Sequence, residues 1–210
     1  MDLYKMSLWQ IFLAGGFLMW PILICSIFAL AITLSKILYL RSITIDSREL
    51  LSRILEKMKR HETKEALEIC ASLKSPTPNI LKAGILKYDR PRQQIIEAIE
   101  DASLYEIPRL EHNLPALATI AHICPLLGFL GTGVGLIRCF QAIEAKAASF
   151  HPLLAQDLSR GIWEALLTTV AGILVAIPAF MAYNYLVSRV NHFVLDMERT
   201  STELVNFLTE

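Results

Sequence analysis

Neither sign of charge predominates in this chain of 210 residues: twenty Lys and Arg balance twenty Asp and Glu, so no basic surface argues for nucleic acid. Charge is also scarce, at 19% of residues against roughly 25% in an ordinary soluble domain. The four cysteines, Cys25, Cys70, Cys124 and Cys139, show no CxxC spacing and no His partner at zinc-ligand spacing. Nor do they form the dense framework of small secreted domains, so they read as reduced and structural. A serine nucleophile elbow, a metal-ligand run, a phosphate loop and a paired-carboxylate site are all missing, and no enzyme, metal or cofactor is expected. The Gly-rich stretch GFLGTGVG, Gly128 to Gly135, looks superficially like a phosphate-binding turn, but it follows no expected strand and lies inside an apolar run.

What the chain does have is apolar length. Hydrophobic residues make up 54%, and mean hydropathy is +0.45. A bilayer core takes about 20 helical residues, and three windows suffice: 11–35, 113–140 and 161–188. The uncharged stretch from Met6 to Ser35 is about twice the length of a signal-peptide core, so it is expected to stay in the membrane. Residues 1–10 form a short N-terminus and 141–160 a short loop.

Between the first two windows, residues 36–112 hold fourteen of the twenty basic residues and twelve acids, a solvated region. Leu50, Leu51, Ile54, Leu55 and Met58 recur at helical spacing, followed by Ala66, Leu67 and Ile69. SPTPN (Ser75 to Asn79) and YDRP (Tyr88 to Pro91) interrupt the pattern. From Arg92 it resumes with Ile95, Ile96, Ile99 and Leu104, and one long helix into the second window is expected, kinked at Pro108 and Pro115. Residues 189–210 read as an amphipathic extension of the third crossing. Basic residues near the membrane ends (Lys36, Arg41, Arg48, Arg53, Arg109, Arg189, Arg199 on one side; Lys5 and Lys146 on the other) put the large segment and the C-terminus in the cytoplasm and the N-terminus outside.

Two crossings carry small residues on one face: Gly128, Gly131 and Gly135 in the second, and Ala165, Gly172, Ala176 and Ala179 in the third. Lipid offers no hydrophobic drive between helices, and such faces let backbones pack closely. Three helices enclose little space, so the expected fold is an all-α membrane protein of three transmembrane helices, the second and third extended into the cytoplasm, in an oligomeric bundle. Pro125 and Pro178 are expected to kink their crossings.

Glu164 is the acid of the third crossing. Such a carboxylate costs about 2.5 kcal/mol or more and usually faces protein or a water path. It either reaches the headgroups or Arg160, or lines a polar path with Thr132, Thr168 and Thr169, whose hydroxyls could equally bond back to their own helices. His122 reads as a lone histidine on an apolar face, and Arg138 as a residue that snorkels from a helix end.

AHICPLLGFLGTGVGLIRCF (Ala121 to Phe140) resembles the pattern PLLGLLGTVxGMIxxF, and GIWEALLTTVAGILVAIPAFMAYN (Gly161 to Asn184) resembles GIxEALxxTAxGLxxAIPAxxxYN. Both patterns belong to the ExbB/TolQ/MotA family of proton-driven motor subunits, and the ExbB and TolQ branch is the nearer, since flagellar stators generally have four crossings. The resemblance implies a homopentamer in the inner membrane of a Gram-negative envelope. It implies a ring around a dimer of a single-crossing partner of the ExbD or TolR type, whose membrane aspartate carries the proton. Proton flow would then energise, through TonB or TolA, either uptake of iron complexes or vitamin B12, or envelope integrity. By motif position Thr132 and Thr169 would face that aspartate, with Thr168 less securely matched and Glu164 toward the outer mouth. Gly133, Arg138 and Arg160 depart from the pattern. A self-contained small-solute channel or carrier is the alternative, though it asks for more midplane polar groups than the crossings offer; a passive scaffold is a third.

Overall fold

The computed structural model describes residues 7–148 and 155–209, and among these it contains helices and no strands. In chain order the helices are α1 (Leu8–Ala14), α2 (Met19–Ile43), α3 (Ser47–Lys59), α4 (Thr63–Ser72), α5 (Pro76–Ile85), α6 (Arg92–Glu111), α7 (Leu114–Ala148) and α8 (Ala155–Thr209). Three helical stretches, Met19–Lys59, Arg92–Ala148 and Leu158–Thr209, are long and apolar enough to cross a membrane. Their apolar parts lie in α2, α7 and α8. The chain divides into two compact units: one runs through Leu34 and includes Leu114–Asn184, the other comprises Ser35–Asn113 and Tyr185–Glu210.

The first window is not one helix. It breaks between Ala14 and Met19, where Gly16 takes the left-handed φ of +74° that side chains resist. Trp9 and Phe12 of α1 stack on each other and meet Trp20 of α2 edge-on across the break, with ring centroids 5.2 to 6.5 Å apart. Pro21 is tolerated because it falls in the first turn of α2, where its missing amide leaves no bond unmade. The long helix expected from Arg92 is likewise interrupted, at His112 and Asn113, with Asn113 at φ +69°. Asparagine is among the few side chains that adopt this conformation. Buried Lys36 caps the end of α6, its Nζ donating to His112 O at 3.0 Å and Arg109 O at 3.5 Å. Pro108 lies inside α6, and Pro125 and Pro178 lie inside α7 and α8.

Helices also reach into the expected 141–160 loop, since α7 continues to Ala148 and α8 begins at Ala155. The rest of that loop, and most of the N-terminal segment with Lys5, lie outside the described residues. In the tail, α8 continues as helix to Thr209.

The polar unit has its own core, in which Leu50, Leu51, Ile54 and Met58 of α3 pack with Ala66 and Cys70 of α4, Leu81 and Ile85 of α5 and Leu204 of α8. The interruptions are structured. Asp46 caps α3 by accepting from the amides of Arg48 and Glu49 at 3.0 and 3.2 Å, SPTPN starts α5 with Pro76 at its first position, and Ser75 Oγ donates to Ile43 O at 3.0 Å. Beyond α3, the hydrogen bond from Lys57 holds the Glu62 carboxyl below the usual carboxylate range.

Candidate functional site

In the membrane unit α7 buries Ala121, Cys124, Gly128, Gly131, Gly135 and Cys139, and α8 buries Gly161, Ala165, Thr168, Gly172, Ala176 and Ala179. Both sets recur every three or four residues, so each is one face of its helix. The two faces meet backbone to backbone in antiparallel order. A Cβ added at Gly172 would lie 2.5 Å from Cys124 O, and one at Gly135 would lie 2.6 Å from Gly161 O, so neither position has room for a side chain. Glycine here acts through close approach, as expected where lipid supplies no hydrophobic drive.

This closeness brings two hydroxyls together. Thr132 Oγ1 of α7 and Thr169 Oγ1 of α8 stand 2.5 Å apart, both half-buried. Thr169 Oγ1 is also 3.1 Å from Gly128 O and 3.1 Å from Ala165 O, while Thr132 Oγ1 is 3.5 Å from Gly128 O. Each hydroxyl has one proton to give, so two arrangements are open. Thr132 can donate to Thr169, which then donates to a carbonyl, or Thr169 can donate to Thr132, which then turns to Gly128 O. The pair is a short hydrogen-bond chain that can run in either direction.

Thr168 is not part of it. Its side chain is 1% exposed, wedged against Gly131, and its hydroxyl bonds back to Ala165 O at 2.9 Å and Glu164 O at 3.0 Å. One residue is 100° of helix, which separates a threonine whose hydroxyl stays on its own helix from one whose hydroxyl bonds across to α7. His122 is exposed on α7, with Nδ1 2.6 Å from Ala118 O and its ring edge-on to Phe180.

Glu164 pairs with a residue that spacing along its own helix does not reveal. Its partner is Arg138 of α7, whose Nη1 contacts both carboxylate oxygens, rather than Arg160 one turn away. The Glu164 side chain is 12% exposed and that of Arg138 is 50% exposed, so Arg138 is a member of a pair and not simply a snorkelling cation. The turn before α2 covers the carboxylate closely enough that a Cβ on Gly16 would collide with it.

A biopolymer transport protein ExbB homolog of Methanothermobacter thermautotrophicus is 27% identical over 201 residues, covering 95% of this chain and 68% of its own. The ExbB-like 1 protein of Synechocystis sp. is 32% identical over 178 residues, 84% of this chain and 69% of its own. The Tol-Pal system protein TolQ of Haemophilus influenzae is 40% identical over 104 residues, 49% of this chain and 43% of its own. Residues 72–199, which include the small-residue faces, the threonine pair and the Arg138–Glu164 contact, match the MotA/TolQ/ExbB proton channel family, and the chain belongs to that family.

Proposed function

We propose that this chain is the ring-forming subunit of a proton-motive-force-driven motor in a bacterial inner membrane, its N-terminus outside and its large helical segment and tail in the cytoplasm. Five copies enclose a dimer of a single-crossing partner of the ExbD or TolR type. Proton flow moves that dimer and, through a TonB- or TolA-type protein, energises an outer-membrane process. The reading gives the chain no bond-making chemistry and no cofactor. The relatives named for biopolymer transport and for the Tol-Pal system support it.

The observation that carries the reading is the Thr132–Thr169 pair. It is a half-buried hydroxyl pair where the small-residue faces meet, and its hydroxyls can donate to an ionised aspartate or accept from a protonated one. The family resemblance supplies that aspartate from the partner. One proton crossing 100 mV releases about 2.3 kcal/mol, which shifts a two-state equilibrium by about fifty-fold. That suffices to bias motion of the partner dimer, though not to dismantle a packed helix pair such as α7 and α8.

Two experiments test it. Purification of the full chain from its native membrane should bring down a single-crossing protein with an intramembrane aspartate; recovery of the chain without such a partner contradicts the motor reading and favours a self-contained carrier. Deleting the gene and comparing siderophore-dependent growth with detergent sensitivity then separates a TonB-linked role from a TolA-linked one. A loss of neither contradicts both.

A further inference from the structure

Small groups line the α7–α8 interface on both sides: Gly128, Gly131 and Gly135 face Ala165, Thr168 and Gly172. Such a surface is close but smooth. A slip of one turn, about 5.4 Å, would bring another small group, Thr168 or Ala176, to the place of Gly172, where a Cβ is crowded against Cys124 O. Thr132 and Thr169 meet in one register only, and a group that opposes small displacements from it would complement the glycine contacts.

Arg138 lies six residues past Thr132, and Glu164 five residues before Thr169, so their ion pair is a neighbouring rung of the same antiparallel run. The guanidinium reaches both carboxylate oxygens, and Glu164 is enclosed between α7 and the turn at Gly16. A one-turn slip would separate the two charges and leave the Glu164 carboxylate, 12% exposed, without its partner, a disfavoured state. Polar pairs of this kind act best as selectors of register, even where an apolar pair would stabilise as well.

We propose that Arg138 is a positioning residue whose ion pair with Glu164 sets the register of α7 against α8 and so brings Thr132 and Thr169 together. The importance of that register rests on the threonine pair being the site of action, but the register can be measured without reference to proton flow.

The test uses the full chain in its native membrane, with the four native cysteines replaced by alanine and Thr132→Cys and Thr169→Cys introduced. The hydroxyls they replace are 2.5 Å apart, so the two sulfurs come within bonding reach, and mild oxidation should cross-link most chains internally. Adding Arg138→Leu with Glu164→Leu should lower the yield at least fivefold. Adding Arg138→Glu with Glu164→Arg, which restores the pair in reverse, should return it to within twofold of the parent. Undiminished cross-linking in the Leu/Leu chain overturns the proposal, since packing alone would then fix the register. A reversed pair that cross-links as poorly as the Leu/Leu chain overturns it too, and serves as the control for folding of the doubly substituted chains. Failure of the motor reading looks different: the cross-linking pattern holds while removal of the threonine hydroxyls leaves proton flux unchanged.

Discussion

Gly131 and Gly133 stand two residues apart in GTGVG, and the structure gives them opposite consequences. A Cβ at Gly131 would collide with Thr168 Oγ1 and lie 2.5 Å from Thr168 Cβ and 3.1 Å from its Cγ2; a Cβ at Gly133 meets nothing within 4 Å. Thr168 cannot turn away easily, being β-branched, 1% exposed and bonded to its own helix. Gly131→Ala must therefore push α7 from α8. Overpacking costs about 1–3 kcal/mol, and loss of the 2.5 Å Thr132–Thr169 bond adds about 0.5–1.5 kcal/mol. Better helix propensity returns up to about 1 kcal/mol. The net is about 0.5–4.5 kcal/mol, a fall in Tm of about 1–18 °C for a chain this size. Gly133→Ala gains the propensity without the collision and should match or slightly exceed the parent. Thermal unfolding of the detergent-solubilised chain measures both. A Gly131→Ala protein as stable as the parent, or a Gly133→Ala protein less stable than Gly131→Ala, refutes the reasoning.

Other substitutions probe the polar unit. Burial pushes the Cys70 thiol from its ordinary 9.0 up to about 11, with Lys82 pulling slightly the other way. Because the folded thiol holds its proton more tightly, the associated stability is present below pH 9 and is lost between pH 9 and 11, at about 1.4 kcal/mol per pH unit; Cys70→Ala should show a flatter stability profile across that window. Lys36→Met removes the donor to His112 O and Arg109 O and should cost about 1–3 kcal/mol, read most locally as faster amide exchange in the last turn of α6. Leu81→Ala, at a side chain with 0% exposure in the core of α3, α4 and α5, should cost about 2–5 kcal/mol in denaturant unfolding.

The features legible in the sequence are those that depend on local order along the chain. Hydropathy located the apolar stretches, and period-three-to-four spacing located the small faces of α7 and α8, because both follow from helix geometry alone. The breaks were harder to read. A hydropathy window averages over Gly15 and Gly16 and treats the stretch as one helix, whereas the positive φ of Gly16 ends α1 and re-aims the chain. Asn113, also at positive φ, follows the end of α6, a conformation that helical spacing does not disclose. Composition does not distinguish Thr168 from Thr169; their 100° offset decides which hydroxyl reaches Thr132 of α7. The Arg138–Glu164 pair was out of reach because it depends on the register between two antiparallel helices, which spacing within either one does not contain.

The central claim, that the hydroxyls of Thr132 and Thr169 carry proton passage at the partner's aspartate, is tested most directly by proton flux into vesicles holding the full chain with its co-purified partner under an imposed membrane potential. Thr132→Val and Thr169→Val keep nearly the same shape while removing the hydroxyls. The account predicts that each variant assembles with the partner and loses at least tenfold in flux. Assembly with flux equal to that of the unaltered chain would contradict it.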